Sequence, residues 1–337
     1  MSLPALHVVR PKTVDEAVRV LAQHGPQAMI LAGGTDLLPN LQMRLYAPQV
    51  LVALKEISGL RGARAAKDGA LRIGALTTLS ELLAEPVVRQ KYAVLAKAAA
   101  TVAGPLQRNM ATLGGNLCLE TRCRWYNQSH FWRQSLGGCL KKDGTVCHVA
   151  PGGKRCWAVW SGDTAPALLA LDAEIEIAGP AGERRIPLES LYRNDGMNRI
   201  ALQAGEILTA VLLPAAKAGW RGVYNKLRLR NSIDYPLAGV AVAMDVDGGG
   251  VCRDVRVAIS AVNPAPLLVH QAGETLIGKK YSRELIERVA HAAIQRGKPL
   301  TTSGSTPVYR REMLELYTRR GLEEVWGGRT HSADRND

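Results

Sequence analysis

The sequence has no long hydrophobic run and no segment typical of secretion. Its longest apolar stretches, near residues 93–103 and 165–171, are interrupted by charge or proline well short of the roughly 18 residues that cross a bilayer. The N-terminus also lacks the apolar core of about 7–15 residues that a signal peptide requires. These absences predict a cytoplasmic protein without membrane contact, in which disulfides are not expected.

Acidic residues are fewer than basic ones, 30 against 43, which gives the 337-residue chain a formal net charge of +13. A nucleic-acid partner would suit this charge, but no basic run with interleaved aromatic residues accompanies it. An acidic protein partner explains the charge equally well, as does an ordinary solvated surface. The clustering of basic residues described below favours the protein partner, and no nucleic-acid partner is expected.

The pattern of apolar residues predicts an α+β protein of several domains. Residues 1–57 and 58–215 indicate two subdomains that mix strands and helices, and residues 219–325 indicate a third unit. In the third unit, three strand-like runs precede two amphipathic helices, which predicts a three-stranded antiparallel sheet covered by helices. Residues 327–337 are polar and predict a disordered tail.

Two capping boxes mark helix starts in the first two subdomains. Thr13 precedes Glu16 by three residues and predicts a helix over about 14–23. Thr78 precedes Glu81 in the same way, and the alanine-rich sequence that follows predicts one long helix near 86–103.

Two glycine pairs stand at predicted strand-to-helix corners. Gly33-Gly34-Thr35 follows a short apolar strand, and Gly114-Gly115-Asn116 follows Thr112, whose hydroxyl can donate a hydrogen bond. Small residues at such a corner expose backbone N–H groups that bind phosphate. One loop of this kind is more often a tight turn, whereas two in one domain favour a ligand with two phosphates.

The fingerprint of the rival dinucleotide fold is absent. A Rossmann fold needs three glycines spaced G-x-G-x-x-G after its first strand, and this spacing does not occur here. Paired double-glycine loops therefore indicate a different flavin scaffold.

Ordered motifs resemble the medium subunits of the xanthine dehydrogenase and carbon monoxide dehydrogenase family, from about residue 5 to 325. The resemblance implies a two-subdomain FAD-binding domain of the PCMH type with a cysteine-rich loop insertion, followed by a CO dehydrogenase flavoprotein-type C-terminal domain. The motifs are Leu31–Leu38, Ile73–Thr78, Ala111–Asn116, Asp163–Pro166, Lys226–Arg228 and Asp234–Ala238.

The same resemblance implies a set of FAD-binding residues. From the residues alone, the N-cap of the following helix is a strong alternative role for Asp163, one that can coexist with FAD binding, and Lys226 fits equally well as an exposed lysine at a strand end. The implied set is Leu31, Ala32, Gly33, Gly34, Thr35, Asp36, Thr78, Thr112, Gly115, Asn116, Asp163 and Lys226.

A cysteine-rich insertion over residues 118–160 separates the second glycine pair from Asp163. It carries five of the six cysteines, Cys118, Cys123, Cys139, Cys147 and Cys156. Such clustering favours metal ligation over disulfides. The spacing leaves the metal open, because four thiolates hold either structural zinc or an iron–sulfur cluster.

The insertion is similar to that of the beta subunits of 4-hydroxybenzoyl-CoA reductases, which carry a 4Fe-4S cluster. The resemblance rests on Thr121-Arg122-Cys123, Tyr126-Asn127-Gln128-Ser129, Cys139-Leu140-Lys141 and Cys147-His148. It implies four ligands, with Cys118 as a bystander and Cys252 outside the insertion as a small buried residue. The implied ligands are Cys123, Cys139, Cys147 and Cys156.

The insertion is also basic and aromatic. Seven basic residues against two acidic ones give it a net charge of +5, which predicts a docking face for an acidic ferredoxin that uses Lys141 and Lys142. Its aromatic residues either shield the cluster or form a small core. They are Trp125, Tyr126, Phe131, Trp132, Trp157 and Trp160.

These resemblances imply an electron-transfer subunit in which FAD and the cluster connect a ferredoxin to partner subunits. The implied partners are a small subunit with two 2Fe-2S clusters and a large subunit with the molybdopterin cofactor, where 4-hydroxybenzoyl-CoA is reduced. Another molybdenum hydroxylase acting on a purine, nicotinate or other aromatic substrate is the nearest alternative. A zinc-stabilised assembly module without redox activity is the second.

Overall fold

In the computed structural model, which describes residue 3 and residues 5–327, the chain folds around three β-sheets. Most of the tail predicted for residues 327–337 lies outside the described residues, and Gly327 ends the final helix. None of the described helices is long and apolar enough to cross a membrane. The α+β class predicted from the sequence is confirmed.

The described part of the chain contains twelve strands and twelve α-helices. The strands are β1 (His7–Val9), β2 (Ala28–Leu31), β3 (Val50–Ala53), β4 (Ala63–Ala65), β5 (Leu71–Gly74), β6 (Glu174–Gly179), β7 (Gly182–Pro187), β8 (Ile207–Leu213), β9 (Trp220–Leu227), β10 (Ala238–Val246), β11 (Cys252–Ser260) and β12 (Leu267–Leu268). The helices are α1 (Val14–His24), α2 (Leu37–Gln42), α3 (Leu79–Ala84), α4 (Pro86–Lys91), α5 (Ala93–Ala100), α6 (Pro105–Arg108), α7 (Leu113–Leu117), α8 (His130–Ser135), α9 (Thr164–Ala170), α10 (Gln271–Leu276), α11 (Arg283–Arg296) and α12 (Pro307–Gly327).

The first sheet is parallel, in the order β1-β3-β2, and α1 packs on it. Thr13 caps α1 by accepting a hydrogen bond from the amide of Glu16 at 3.1 Å. The apolar face of α1, which includes Ala17 and Leu21, is buried. This small unit places the loop after β2 at the carboxyl end of a parallel strand, a common position for ligand-binding loops.

The second sheet is antiparallel, in the order β4-β5-β8-β6-β7. The single long helix predicted near 86–103 is wrong, because Tyr92 interrupts it and separates α4 from α5. Tyr92 has non-helical backbone angles, its ring is buried, and its hydroxyl donates to the carbonyl of Pro214 at 2.7 Å. A tertiary contact thus overrides the helical propensity of the alanine-rich sequence.

The third sheet is antiparallel, in the order β12-β11-β10-β9, and α12 packs on it together with α11. The two-residue β12 adds an edge to the three strands predicted from the sequence. Helix α9 packs against β10 and β11 from the other side. The side chains of Tyr224, Ala241 and Ala258 therefore join the core of the second sheet, so the C-terminal unit shares a core with the rest of the chain.

The insertion over residues 118–160 contains one short helix, α8, and folds against the segment that follows α2. Arg133 of α8 is buried and donates to the carbonyls of Met43 and Arg44 at 3.1 and 3.0 Å. Leu45 packs in one cluster with Tyr126 and several of the cysteines. These contacts fix the insertion beside the first subdomain.

Candidate functional site

A cavity of about 650 Å³ lies where the two glycine loops meet the C-terminal unit. This volume is within the range of small-molecule and cofactor sites, about 300–1,000 Å³. The C-terminal unit contributes Ile233, Asp234 and Tyr235 to its wall.

Close packing requires glycine at position 33. A Cβ on Gly33 would lie 1.9 Å from the carbonyl oxygen of Met110, so the chain before the second glycine loop crosses directly over the first. Gly34 has a φ of +74°, in the left-handed region that favours glycine. The two loops therefore meet at one end of the cavity.

The second glycine loop is held by its own hydrogen bonds and by α9. Thr112 caps α7 by accepting from the amide of Gly115 at 3.1 Å. Asn116 accepts from the amide and the hydroxyl of Thr164 at 3.1 and 2.6 Å. These bonds fix the loop, and the hydroxyl of Thr112 is already engaged as an acceptor.

The structure brings most of the residues predicted to bind FAD to this cavity. Leu31, Thr78 and Lys226 do not line it: Thr78 is engaged in the capping box of α3, and the ammonium group of Lys226 is bonded to Asp163 and to the carbonyl of Thr101. The predicted residues that line the cavity are Ala32, Gly33, Gly34, Thr35, Asp36, Thr112, Gly115, Asn116 and Asp163.

Asp163 makes a buried ion pair with Lys226 and does not cap α9. Its carboxylate accepts from Lys226 at 2.8 Å and from the hydroxyl of Tyr224 at 2.7 Å, and no capping hydrogen bond forms. Lys226 also donates to the carbonyl of Thr101 at 2.9 Å. Burial raises the pKa of Asp163, and Lys226 opposes that rise. Asp163 therefore occupies the N-cap position of α9 without a capping bond from its side chain, and the interpretation of Lys226 as an exposed lysine is wrong.

Several polar residues of the cavity wall were missed by the sequence analysis. Tyr46, Glu120, Arg199 and Tyr235 line it, and they come from segments far apart in the chain. Arg122 pairs with Asp36 at 3.3 Å and lies 4.0 Å over the ring of Tyr235. No local sequence signal marks Tyr46, Glu120 and Arg199, because only the fold brings them together, whereas Tyr235 lies in the motif Asp234–Ala238.

One buried polar atom in the wall of the cavity lacks a partner. Asn40 is 1% exposed, and its Oδ1 has no hydrogen-bond partner among the described residues. A buried acceptor left unpaired costs about 1–3 kcal/mol, which a bound polar ligand offsets. This atom, the volume and the crowded double-glycine cradle fit a large phosphate-containing ligand such as FAD.

A second, much smaller cavity is lined by the four cysteines implied as ligands. Its volume of about 20 Å³ exceeds the roughly 10–15 Å³ that a single water needs. Cys118 lines the large cavity instead, and Cys252 is fully buried in β11. The lining cysteines are Cys123, Cys139, Cys147 and Cys156.

The cysteines lie in a dry environment. The pKa of Cys123 is raised to about 11, mainly by burial and to a smaller extent by the neighbouring Cys139 and Cys147. Burial likewise raises the pKa of Cys156 to about 12. The amide of Ala158 donates to the sulfur of Cys156 at 3.4 Å. In the described part of the chain, no three His, Cys, Asp or Glu side chains converge closely enough to hold a single metal ion.

Only some of the aromatic residues of the insertion surround this cavity. Trp125 lines it, and the centre of its ring lies 5.0 Å from the centre of the His148 ring. The Nε2 atom of His148 makes a hydrogen bond with the carbonyl oxygen of Gly138 at 2.7 Å. Phe131 is 80% exposed, and Trp160 is buried in the main core of the protein. The aromatic residues therefore do not form one shield.

Lys141 is not a docking residue, contrary to the prediction from charge. Its side chain is 6% exposed and pairs with Glu120 at 2.6 Å, whereas Lys142 stays partly exposed and pairs with Asp143 at 3.3 Å. Counting charges along a sequence cannot show which of two adjacent lysines points inward.

Comparisons with known proteins agree with this architecture. The family described as the FAD binding domain in molybdopterin dehydrogenase matches residues 4–216. The CO dehydrogenase flavoprotein C-terminal domain matches residues 223–325. Together the two cover nearly all of the described chain.

Similar proteins include the carbon monoxide dehydrogenase medium chain of Hydrogenophaga pseudoflava, 29% identical over 96% of this chain and 98% of that protein. The aldehyde oxidoreductase FAD-binding subunit of Escherichia coli is 35% identical over 79% of this chain and 84% of that protein.

Among solved structures, carbon monoxide dehydrogenase from Hydrogenophaga pseudoflava aligns with a TM-score of 0.79 and 28% identity, covering 97% of this chain and 99% of that one. Quinoline 2-oxidoreductase from Pseudomonas putida 86 aligns with a TM-score of 0.76 and 26% identity over the same shares. The chain belongs to the family of FAD-binding medium subunits of the xanthine and carbon monoxide dehydrogenases.

Proposed function

We propose that this chain is the electron-transfer flavoprotein subunit of a 4-hydroxybenzoyl-CoA reductase-type complex. It holds FAD in the large cavity and a 4Fe-4S cluster in the cysteine cavity. The observation that carries the proposal is the position of four buried cysteines around one small cavity beside the FAD cavity. Bound FAD exchanges one or two electrons, and the cluster exchanges single electrons.

The loops of the large cavity supply the groups that a flavin dinucleotide needs. Backbone amides of Gly33 and Gly34 can donate to the pyrophosphate, whereas the amide of Gly115 already donates to the hydroxyl of Thr112. Asp36 and Asn40 offer oxygens that accept hydrogen bonds from ribityl or ribose hydroxyls. Asp163, kept in place by Lys226 and Tyr224, presents a carboxylate at the same wall.

Four cysteine thiolates can hold either zinc or a 4Fe-4S cluster. The cluster is preferred in this proposal because the flavin cavity lies beside the four cysteines and a cluster exchanges electrons with a flavin, whereas zinc carries none. Amide groups directed at a ligand sulfur, as at Cys156, are one of the means by which proteins tune iron–sulfur clusters.

Substrate chemistry in this proposal takes place outside the chain. A large molybdopterin subunit reduces 4-hydroxybenzoyl-CoA to benzoyl-CoA, and a small subunit with two 2Fe-2S clusters connects it to the flavin. A ferredoxin delivers electrons to the insertion, where exposed Arg124 and Lys154 and partly exposed Lys142 provide positive charge.

A medium subunit of another molybdenum hydroxylase is the second candidate. The nicotinate dehydrogenase FAD-subunit of Eubacterium barkeri is 30% identical over 82% of this chain, so relatives that differ in substrate are about equally similar. The cysteine cavity favours the first candidate, since it gives the chain a carrier for single electrons.

The ligand set is tested by comparing two cysteine variants of the full chain after reconstitution with iron, sulfide and FAD. Cys139→Ser should lose most of its iron and keep its FAD. Cys118→Ser, the matched control from the wall of the other cavity, should keep both. Equal iron content in the two variants would contradict the assignment of the cluster to this cavity.

A further inference from the structure

Residues 120–123 form a common wall between the two cavities. Glu120 lines the large cavity and Cys123 lines the cysteine cavity. An extended chain spans at most about 3.6 Å per residue, so their Cα atoms lie no more than about 11 Å apart. A charge placed in this wall acts on both sites.

The wall contains a buried carboxylate with four polar neighbours. Glu120 is 6% exposed and accepts hydrogen bonds from the hydroxyl of Tyr46 and from the amide of Thr121, the latter at 2.9 Å. It pairs with Lys141 at 2.6 Å and with Arg199 at 3.5 Å. Tyr46 and Arg199 line the large cavity as well, so this cluster faces the FAD site.

Lys141 brings the opposite charge to the other side of the wall. It lines the cysteine cavity, and its ammonium group lies 4.5 Å from the centre of the Tyr126 ring. It also donates to the hydroxyl of Thr121 at 2.5 Å and to the carbonyl of Gly196 at 2.8 Å. All three hydrogens of the ammonium group therefore have acceptors, and its position is fixed.

Stability alone does not account for such a pair. Taking two charges out of water costs about as much as their attraction returns, and apolar residues of similar volume often stabilise a fold equally well. Buried charge is, however, one of the levers by which a protein sets the potential of a redox group. A role in the two sites that it touches therefore accounts for the pair better than stability does.

We propose that the Glu120–Lys141 pair sets the reduction potentials of the two redox groups, with Lys141 raising that of the cluster and Glu120 lowering that of the flavin. This inference rests on the proposed function. A fixed positive charge stabilises the more negative, reduced cluster, and a fixed negative charge opposes electron uptake by the flavin. The positive charge of Arg199, which lies in the same wall, partly offsets the lowering of the flavin potential by Glu120.

Redox titration of the reconstituted full chain, followed by visible and electron paramagnetic resonance spectra, tests this proposal. Lys141→Gln should lower the ratio of reduced to oxidised cluster at least tenfold at a fixed solution potential, which equals 59 mV for a one-electron couple. Glu120→Gln should shift the flavin equilibrium toward the reduced form. Lys141→Arg, which keeps the charge, should keep the reduction potential of the cluster closer to that of wild type than Lys141→Gln does.

A purely structural role predicts a different pattern. It would lower cofactor content in all three variants. The proposal instead requires, at full FAD and iron content, a lower reduction potential of the cluster in Lys141→Gln and a higher reduction potential of the flavin in Glu120→Gln. Unchanged potentials in loaded variants would overturn it. If Lys141→Gln takes up no cluster, Lys141→Arg and Glu120→Gln are compared with wild type. A cluster potential close to wild type in Lys141→Arg together with a higher flavin potential in Glu120→Gln supports the proposal, and an unchanged flavin potential in Glu120→Gln overturns it.

Failure of the proposed function gives a distinct result. A wild-type chain that takes up FAD but no iron would contradict the cluster itself. The flavin titration of Glu120→Gln would still test the role of Glu120, because it needs only FAD. An unchanged flavin potential in that variant would then overturn the inference as well.

Discussion

At the scale of single residues, the glycines of the site are the residues most readily predicted from the sequence. Gly33 and Gly34 were identified from the sequence because the absence of Cβ atoms at a strand-to-helix corner has a local meaning. The structure adds the reason at Gly33, which is the crossing of the Met110 carbonyl. Close approach of two backbones leaves no room for any other residue type.

Substituting Gly33 with alanine should therefore separate the two loops. Overpacking of this kind costs typically about 1–3 kcal/mol, and the displaced loops should bind FAD less tightly. Flavin content after gel filtration and urea unfolding measure the two effects. Gly59→Ala is the matched control, because a Cβ there meets nothing within 4 Å. Equal flavin retention in both variants would show that the crossing of the loops does not matter for binding.

Charged residues were predicted less well than glycines. Lys141 was interpreted as a surface residue, and Glu120 and Arg199 were not identified at all. Their roles depend on burial and on partners from distant segments, and neither property is encoded in neighbouring residues. Residue type and local spacing therefore predicted the loops of the site, but not its electrostatics.

At the scale of elements, strands and helices with a clear apolar period were predicted and the weakly patterned ones were missed. The helix predicted over about 14–23 is α1, Val14–His24, whose apolar face is buried. β7 was missed because its sequence is mainly charged and exposed, and β12 because it has two residues. Such edge strands form by pairing with a neighbour, which a local pattern does not reveal.

The insertion yields a prediction about docking. Replacing Lys142 and Lys154 together with glutamate should slow electron entry from an acidic ferredoxin at low ionic strength, because the charge that steers the encounter is reversed. Stopped-flow reduction of the flavin measures the rate. The rate difference from wild type should shrink as salt is raised.

Lys279→Glu with Lys280→Glu is the control for this experiment, since both lysines are exposed and lie on the C-terminal unit. The control makes the same change in net charge away from the insertion. If both double variants slow electron entry equally, the ferredoxin does not dock on the insertion.

At the scale of the whole molecule, the C-terminal unit is part of the FAD site. It supplies Tyr224 and Lys226 to Asp163 and the segment 233–235 to the cavity wall. The sequence predicted a third unit over residues 219–325. The core that this unit shares with the rest of the chain around α9 depends on long-range packing, which a local pattern does not reveal.

This arrangement predicts unequal effects for two substitutions in β9. Lys226→Met leaves the carboxylate of Asp163 buried without its cation and should lower the free energy of unfolding by about 3–5 kcal/mol. Tyr224→Phe removes one hydrogen bond to a charged group and should cost about 1.5–3 kcal/mol. Urea unfolding of the flavin-free chain measures both, and a larger loss for Tyr224→Phe would contradict the importance of the ion pair.

The central claim is that one chain holds both FAD and a 4Fe-4S cluster. Determination of iron, acid-labile sulfide, zinc and flavin in the full chain, purified without exposure to oxygen, tests it most directly. We expect about four iron atoms and four sulfides per FAD, with a visible absorbance that dithionite bleaches. One zinc per chain without iron would contradict the cluster, and the absence of flavin would contradict the site as a whole.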